Sequence, residues 1–277
     1  MTTIETTLRR AVEASGRDLI LTLDPVFQGF PDTAHGGSVL AVFDALAGAA
    51  GAREVSGVYH RRVPLGTPLT IARARADSTE TFVLADGTGV LVDGRVAPAT
   101  AAPPFPLVPD GDGVQPLPIS RACFACGTDN ALGLRAELGF DANAVRATWR
   151  PRDAFRQADG SLAPAALTAL LDEAAFWLGA LKTGESGMTT ELRVTLHGPA
   201  PFGPPVTVRG ARAAVHARAG DQRYWDTAIE ARVEGAIAAT ARITFVAVRG
   251  AARRLVTGML AINDPARVQR VFPAYTR

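Results

Sequence analysis

The residues of this chain with types and spacing suited to chemistry are His35-Gly36-Gly37 and the carboxylates Asp44, Asp172 and Glu173. Both aspartates sit in apolar, Ala/Leu-rich stretches, Val39-Leu-Ala-Val-Phe-Asp44-Ala-Leu-Ala and Leu167-Thr-Ala-Leu-Leu-Asp172-Glu173-Ala-Ala, whose patterning predicts helices. A carboxylate there is costly unless paired or solvated, so at least one is expected to face a cleft. His35-Gly36-Gly37 falls at the start of the first helix. Unpaired N–H groups and a positive partial charge at a helix N-terminus suit a carbonyl oxygen or a developing oxyanion. Gly36 and Gly37 would let a substrate approach that backbone closely. The plainer reading of His35 is a helix cap.

Spacing then constrains which carboxylate can act. Asp44 lies nine residues beyond His35, roughly 13.5 Å along the axis and about half a turn round, so it cannot serve its own helix end. If the two helices run antiparallel about a pseudo-twofold axis, Asp172 meets the His35-Gly36-Gly37 end and Asp44 meets the other. Glu173, about 100° round the helix from Asp172, is expected to be the exposed neighbour.

The elements that must position these residues occur twice. His60-x3-Pro64-x-Gly66-x-Pro68 and His197-x3-Pro201-x-Gly203-x-Pro205 repeat at an offset of 137. Each copy follows one of the helices, and each helix follows a short strand and loop, Leu21 to Phe30 and Ala147 to Gln157. Two copies imply a tandem of half-domains and not a solenoid. After each motif, period-2 alternation predicts antiparallel strands joined by hairpins. Each half is thus one strand, one helix and a meander of three or four strands. The matched His60 and His197 read as a structural feature of the repeat.

The halves are unequal. Setting Asp172 on Asp44, an offset of 128, puts Ala163-Pro164-Ala165 where the first half has His35-Gly36-Gly37, and Arg156 where it has Gln28. Pro164 has no N–H and favours the first turn of a helix. The second copy has lost the His and one donor. One retained site is expected, built from Gln28, His35, Gly36 and Gly37 with Asp172, leaving Asp44 vestigial or structural.

Composition bounds the rest. The chain has 277 residues, 47% of them hydrophobic, enough for two units of roughly 110–130 residues. A formal charge of +2 gives no nucleic-acid footprint. The N-terminal residues lack the apolar core of a signal peptide and no run of about 18 apolar residues occurs, so a cytoplasmic protein with no membrane partner is expected. Cys123 and Cys126 form a lone Cys-x-x-Cys. A structural zinc needs four ligands, and His35, His60, His197 and His216 are distant in sequence, so no metal is expected and the pair reads as buried thiols at a tight turn. Prolines 98, 103, 104, 106, 109, 116 and 118 preclude regular structure and mark a linker over 98–119. The halves are then 1–97 and 120–248, with a tail at 249–277 containing a possible short helix at Pro265 to Val271.

Phe27-Gln28-Gly29-Phe30-Pro31, then His35-Gly36-Gly37, then Asp44 resembles the signature of hotdog-fold acyl-CoA thioesterases of the phenylacetate-pathway type. Cys123-Phe-Ala-Cys126-Gly127-Thr-Asp-Asn130-Ala-Leu-Gly133-Leu134 is similar to the cysteine turn that precedes many domains of that family. The resemblance covers about residues 15–96 and 120–248. It implies an α+β double hotdog, two curled antiparallel sheets joined edge to edge, each around a central helix. It also implies hydrolysis of an acyl-CoA or acyl-carrier-protein thioester, with coenzyme A present only as part of the substrate, and permits a homo-oligomer. In that mechanism the Gly36 and Gly37 N–H groups polarise the carbonyl, and Asp172 activates water or attacks directly. Gln28 and His35 orient water and thioester. Arg61 and Arg62 could hold coenzyme A phosphates. Phe176 and Trp177, by default core residues, could line an acyl pocket. The rival readings are an enoyl-thioester hydratase or dehydratase, whose usual Asp-x4-His is missing, a non-catalytic acyl-thioester binder, and a small-molecule enzyme of secondary metabolism.

Overall fold

The apolar stretches around both aspartates form helices in the computed structural model, which describes residues 2–15, 18–99, 105, 108 and 111–276. Helix α2 (Gly36–Ala47) ends where Gly48 takes the left-handed conformation, and α3 (Pro164–Thr183) ends the same way at Gly184. Pro164 opens α3, where its missing N–H costs nothing. By length and composition α3 could cross a membrane, yet 83% of that stretch is buried inside the fold. A shorter helix, α1 (Ile4–Arg10), precedes both; a reciprocal Thr3–Thr6 capping box starts it. Its apolar anchors, Ile4 and Leu8, are too few to announce it by periodicity.

The alternating segments form one 14-stranded sheet. Its first half holds β1 (Val12–Ser15), β2 (Asp18–Leu21), β3 (Arg53–Tyr59), β4 (Leu69–Ala76), β5 (Thr79–Asp86) and β6 (Gly89–Pro98). Its second half holds β7 (Gln115–Pro116), β8 (Leu138–Phe140), β9 (Ala144–Trp149), β10 (Gly187–Leu196), β11 (Val206–Ala211), β12 (His216–Arg218), β13 (Asp221–Val233) and β14 (Ala236–Ala247). The order β2-β4-β5-β6-β3 in one half is repeated as β9-β11-β13-β14-β10 in the other. The two runs join through β3 and β10, which pair antiparallel with Val55 opposite Val194 and Val58 opposite Glu191.

Isolated bridges tie the loops that precede the two long helices. Gln28 bridges Ala34 and Thr33 bridges Pro64 in the first half; Arg156 bridges Leu162 and Ser161 bridges Pro201 in the second. Helix α3 has 20 residues where α2 has 12, which supplies most of the increase in offset from 128 to 137.

Four sequence expectations differ from the structure. Among the described residues two strands, β1 and β2, precede α2 and three, β7 to β9, precede α3, where one each was expected. The proline-rich stretch is not wholly irregular: β6 runs through Pro98, and Gln115–Pro116 pairs with β8. These prolines are tolerated because they lie at a strand end and on a sheet edge; Pro103, Pro104, Pro106 and Pro109 lie outside the described residues. The run after Val206 is interrupted by a 3-10 turn at Arg212–Ala214. The tail contains α4 (Ala252–Leu260) as well as α5 (Pro265–Gln269). Buried Val256, Met259, Val268 and Phe272 hold it against the body, and Asn263 bonds both the N–H and the C=O of Ile119.

Candidate active site

Helices α2 and α3 pack backbone to backbone at the α2 N-terminus. A Cβ on Gly37 would stand 2.5 Å from the Thr168 carbonyl oxygen and 2.7 Å from Ala169 Cα. A Cβ on Gly36 would stand 2.8 Å from Asp172 Oδ2. The glycines therefore serve the approach of the second half, and not chiefly that of a substrate as the sequence suggested. Thr168 fixes the contact by donating its hydroxyl to the Gly37 carbonyl at 2.8 Å.

This packing brings Asp172 to the His35 end, across 135 residues of chain. Gly37 N–H donates to Asp172 Oδ2 at 2.9 Å, and the Thr189 hydroxyl donates to Oδ1 at 2.6 Å. Gly37 N–H is thereby spent on the carboxylate, so only half of the expected carbonyl-polarising pair is open. Gly36 N–H makes no hydrogen bond among the described residues, and Gly36 lines the adjacent cavity. Tyr59, also in the cavity wall, donates its hydroxyl to the Gly36 carbonyl at 2.7 Å. Burial, with the Asp172 charge beside it, pushes that phenol well above its usual range.

His35 occupies the N-cap position of α2 but makes no side-chain cap. Its imidazole lies between two carboxylates, with Nδ1 3.2 Å from Asp172 Oδ2 and Nε2 3.5 Å from Glu173 Oε2. The Nδ1 contact is an electrostatic one, since the ring is out of line for a hydrogen bond. Burial disfavours the imidazolium, but Asp172 and then Glu173 outweigh it, and the His35 pKa rises to about 9. Glu173 is not the exposed neighbour that helix geometry suggested. It is buried, accepts from Trp177 Nε1 at 2.9 Å, and has Cys123 Sγ 3.8 Å away. Burial opposes its ionisation, yet the contacts to His35, Cys126 and Trp177 hold it below its usual value. Both faces of α3 are covered here because the cysteine turn packs over Glu173. Contact with Cys123, together with burial, pushes the Cys126 thiol well up.

The cavity beside these groups has a volume of about 650 Å³. Phe176, Trp177, Met188 and Val246 supply apolar wall, and Leu255 and Met259 of α4 close part of it. Phe176 and Trp177 meet edge to face with centroids 5.0 Å apart. His60, Arg61 and Arg62 also line it. Arg61 is tied to Asp86 at 3.0 Å and His60 to Asp93 at 2.8 Å, whereas Arg62 meets only Met188 Sδ, at 3.3 Å, among the described residues.

Gln28, expected at this site, and Asp44, expected to be vestigial or structural, both lie outside the cavity wall. The Gln28 side chain accepts from Asp32 N–H on its own loop at 3.4 Å and is not in the cavity wall. Asp44 is buried against Arg53, which holds both carboxylate oxygens, with Nη2 2.7 Å from Oδ2. That bidentate pair satisfies a carboxylate in an apolar helix without any cleft. His197, the repeat mate of His60, bonds Thr240. Thr189 and Tyr59 were not singled out in the sequence, where a Thr and a Tyr on strands carry no distinguishing signal.

Comparison with solved structures finds the same hot dog fold. A protein of Thermobifida fusca YX, described as a candidate thioesterase II, superposes with a TM-score of 0.62 at 16% identity, covering 90% of this chain and 98% of that one. A hot dog-fold protein of unknown function from Alicyclobacillus acidocaldarius gives 0.60 at 14% identity, with 88% and 97% covered. The dehydratase domain from the CurJ module of curacin polyketide synthase gives 0.55 at 10% identity, with 86% and 94% covered. At these identities the likeness shows the fold alone. No protein-family model and no curated protein matches the sequence.

Proposed function

We propose that the protein is an acyl thioester hydrolase, a tandem double hotdog with one working site between its halves. The observation that carries this reading is the Asp172 carboxylate of one half held at the α2 N-terminus of the other, in the wall of a cavity with both apolar and charged lining. A thioester carbonyl placed on Gly36 N–H would sit at the positive end of α2, where its developing oxyanion is stabilised. Asp172, oriented by Gly37 N–H and Thr189, takes a proton from water as it attacks the carbonyl carbon. The tetrahedral adduct then expels the thiolate. His35 positions Asp172 by its charge and does not itself touch the reacting atoms. Phe176 and Trp177 offer surface to the acyl chain, and Arg62, unpaired with any carboxylate among the described residues, is the better phosphate ligand of the two arginines. Thioesterase II proteins among the structural neighbours are in keeping with this reading.

The test is release of free thiol from a panel of acyl-CoA substrates. Asp172→Asn keeps the shape and removes the base, and turnover should fall by about 10²-fold or more. Undiminished turnover in that folded variant refutes the assignment. A second reading, reversible hydration of an enoyl thioester, is favoured by the His35–Asp172 contact, an acid and a base supplied by opposite halves. It predicts loss of enoyl absorbance with no thiol released.

A further inference from the structure

In sequence the cysteine turn lies far from every histidine, and nothing local joins them. The fold brings the turn to one of them. His35 from the start of α2, Cys123 from the turn and Glu173 from the middle of α3 converge, and one ligand atom of each lies within 4.8 Å of the others. All three residues are buried. We propose that His35 Nε2, Cys123 Sγ and Glu173 Oε2 bind a divalent transition metal, zinc, leaving a fourth coordination position open to the cavity.

Geometry supports the set. Zinc bonds of about 2.0–2.3 Å in a tetrahedral site hold neighbouring ligand atoms roughly 3.3–3.7 Å apart. Nε2 and Oε2 of His35 and Glu173 are 3.5 Å apart, and Cys123 Sγ is 3.8 Å from the same Oε2. On the two edges that share Glu173, closure on an ion needs movements of only a few tenths of an ångström, and the His35–Cys123 edge lies within 4.8 Å. One nitrogen, one sulfur and one carboxylate oxygen is a donor mixture that zinc accepts, while magnesium and calcium select oxygen.

The outer contacts point the same way. Trp177 Nε1 holds Glu173 Oε1, leaving Oε2 free to face the imidazole. Asp172 Oδ2 lies beside His35 Nδ1, so that Nε2 is the nitrogen presented to the cluster. A fixed donor behind an acidic ligand is what orients a metal ligand. Charge agrees as well: two buried carboxylates face one imidazole, and a divalent cation would offset the excess. His35, Cys123 and Glu173 all border the cavity, which leaves room for a water on the fourth position. On binding, the Cys123 thiol proton and any Nε2 proton pass to solvent, and no electron transfer is involved.

The test needs no substrate, so its outcome is independent of the thioester reading. The full chain, equilibrated with Zn²⁺ and dialysed, should retain about one equivalent by elemental analysis. Loaded with Co²⁺ instead, it should show thiolate-to-cobalt charge-transfer absorption and the strong visible bands of a four-coordinate ion. Cys123→Ser should abolish the charge-transfer band. Should Cys123→Ser fail to fold, Trp177→Phe, which removes only the hydrogen bond behind Glu173, should weaken Zn²⁺ binding by about 10-fold or more. Retention of no metal by the wild-type chain overturns the proposal. So does a charge-transfer band that persists in Cys123→Ser, or Zn²⁺ affinity unchanged in Trp177→Phe.

Discussion

Replacing Gly37 by alanine adds one carbon where α2 meets α3. That carbon would lie 2.5 Å from the Thr168 carbonyl oxygen, 2.6 Å from its carbon and 2.7 Å from Ala169 Cα, all backbone atoms of α3. No rotamer change relieves them. Even a tight contact of about 3.0 Å requires the helices to part by about 0.5 Å. Overpacking of a rigid contact costs about 1–3 kcal/mol, and a backbone-against-backbone clash belongs at the upper end. For a chain of this size the melting temperature should fall by about 6–12 °C. The same separation lengthens the 2.9 Å bond from Gly37 N–H to Asp172. Misplacing a catalytic group by about 1 Å can cost 10²-fold, so a loss of roughly tenfold or more in turnover is expected. Gly36→Ala is the control, because its new Cβ meets only the Asp172 carboxylate, at 2.8 Å, and a side chain can rotate away. It should melt within about 2 °C of wild type, since alanine also favours the helix, yet lose turnover because Asp172 is displaced. Thermal unfolding and thiol-release assays on both variants decide the point. A Gly37→Ala protein that melts like wild type would show that α2 and α3 are not packed as described.

Asp44→Asn strands the buried Arg53 guanidinium and should cost about 3–5 kcal/mol in denaturant unfolding, while kcat of the folded fraction stays near wild type; a dead but stable Asp44→Asn protein would move the working site to the Pro164 end. Asp141 is buried, which opposes its ionisation, but Arg146 and the N–H groups of Asn143 and Ala144 outweigh burial and hold its pKa below the usual 3.8. Its contribution to stability is therefore present above about pH 3.8 and lost as pH falls below it, and Asp141→Asn should flatten the acid limb of a stability–pH curve over that window. Leu255→Trp, which adds bulk to the α4 wall of the cavity, should raise KM for long acyl chains several-fold while sparing short ones, read from a chain-length series.

The two helices, the strand meanders, the repeat and its broken symmetry at Pro164 are legible in the amino-acid sequence. Each rests on local patterning: apolar runs long enough for helices, period-2 strands, and proline or glycine at fixed offsets. Sequence also excludes Asp44 from its own N-terminus, since 1.5 Å per residue puts it out of reach, whereas the meeting of Asp172 with that end depends on how α2 and α3 pack. What tertiary structure alone decided is which neighbours fill the space around those residues. Glu173 has the angular position of a solvent-facing residue on an isolated helix, and only the cysteine turn packed over α3 buries it. Asp44 could have faced a cleft until β3 delivered Arg53. Gly36 and Gly37 fit either a substrate or a packed helix, and the backbone of α3 occupies the place. His35 and Cys123 are 88 residues apart in the chain and share one cluster, a contact that no local pattern encodes because it is set by how the two halves close on each other.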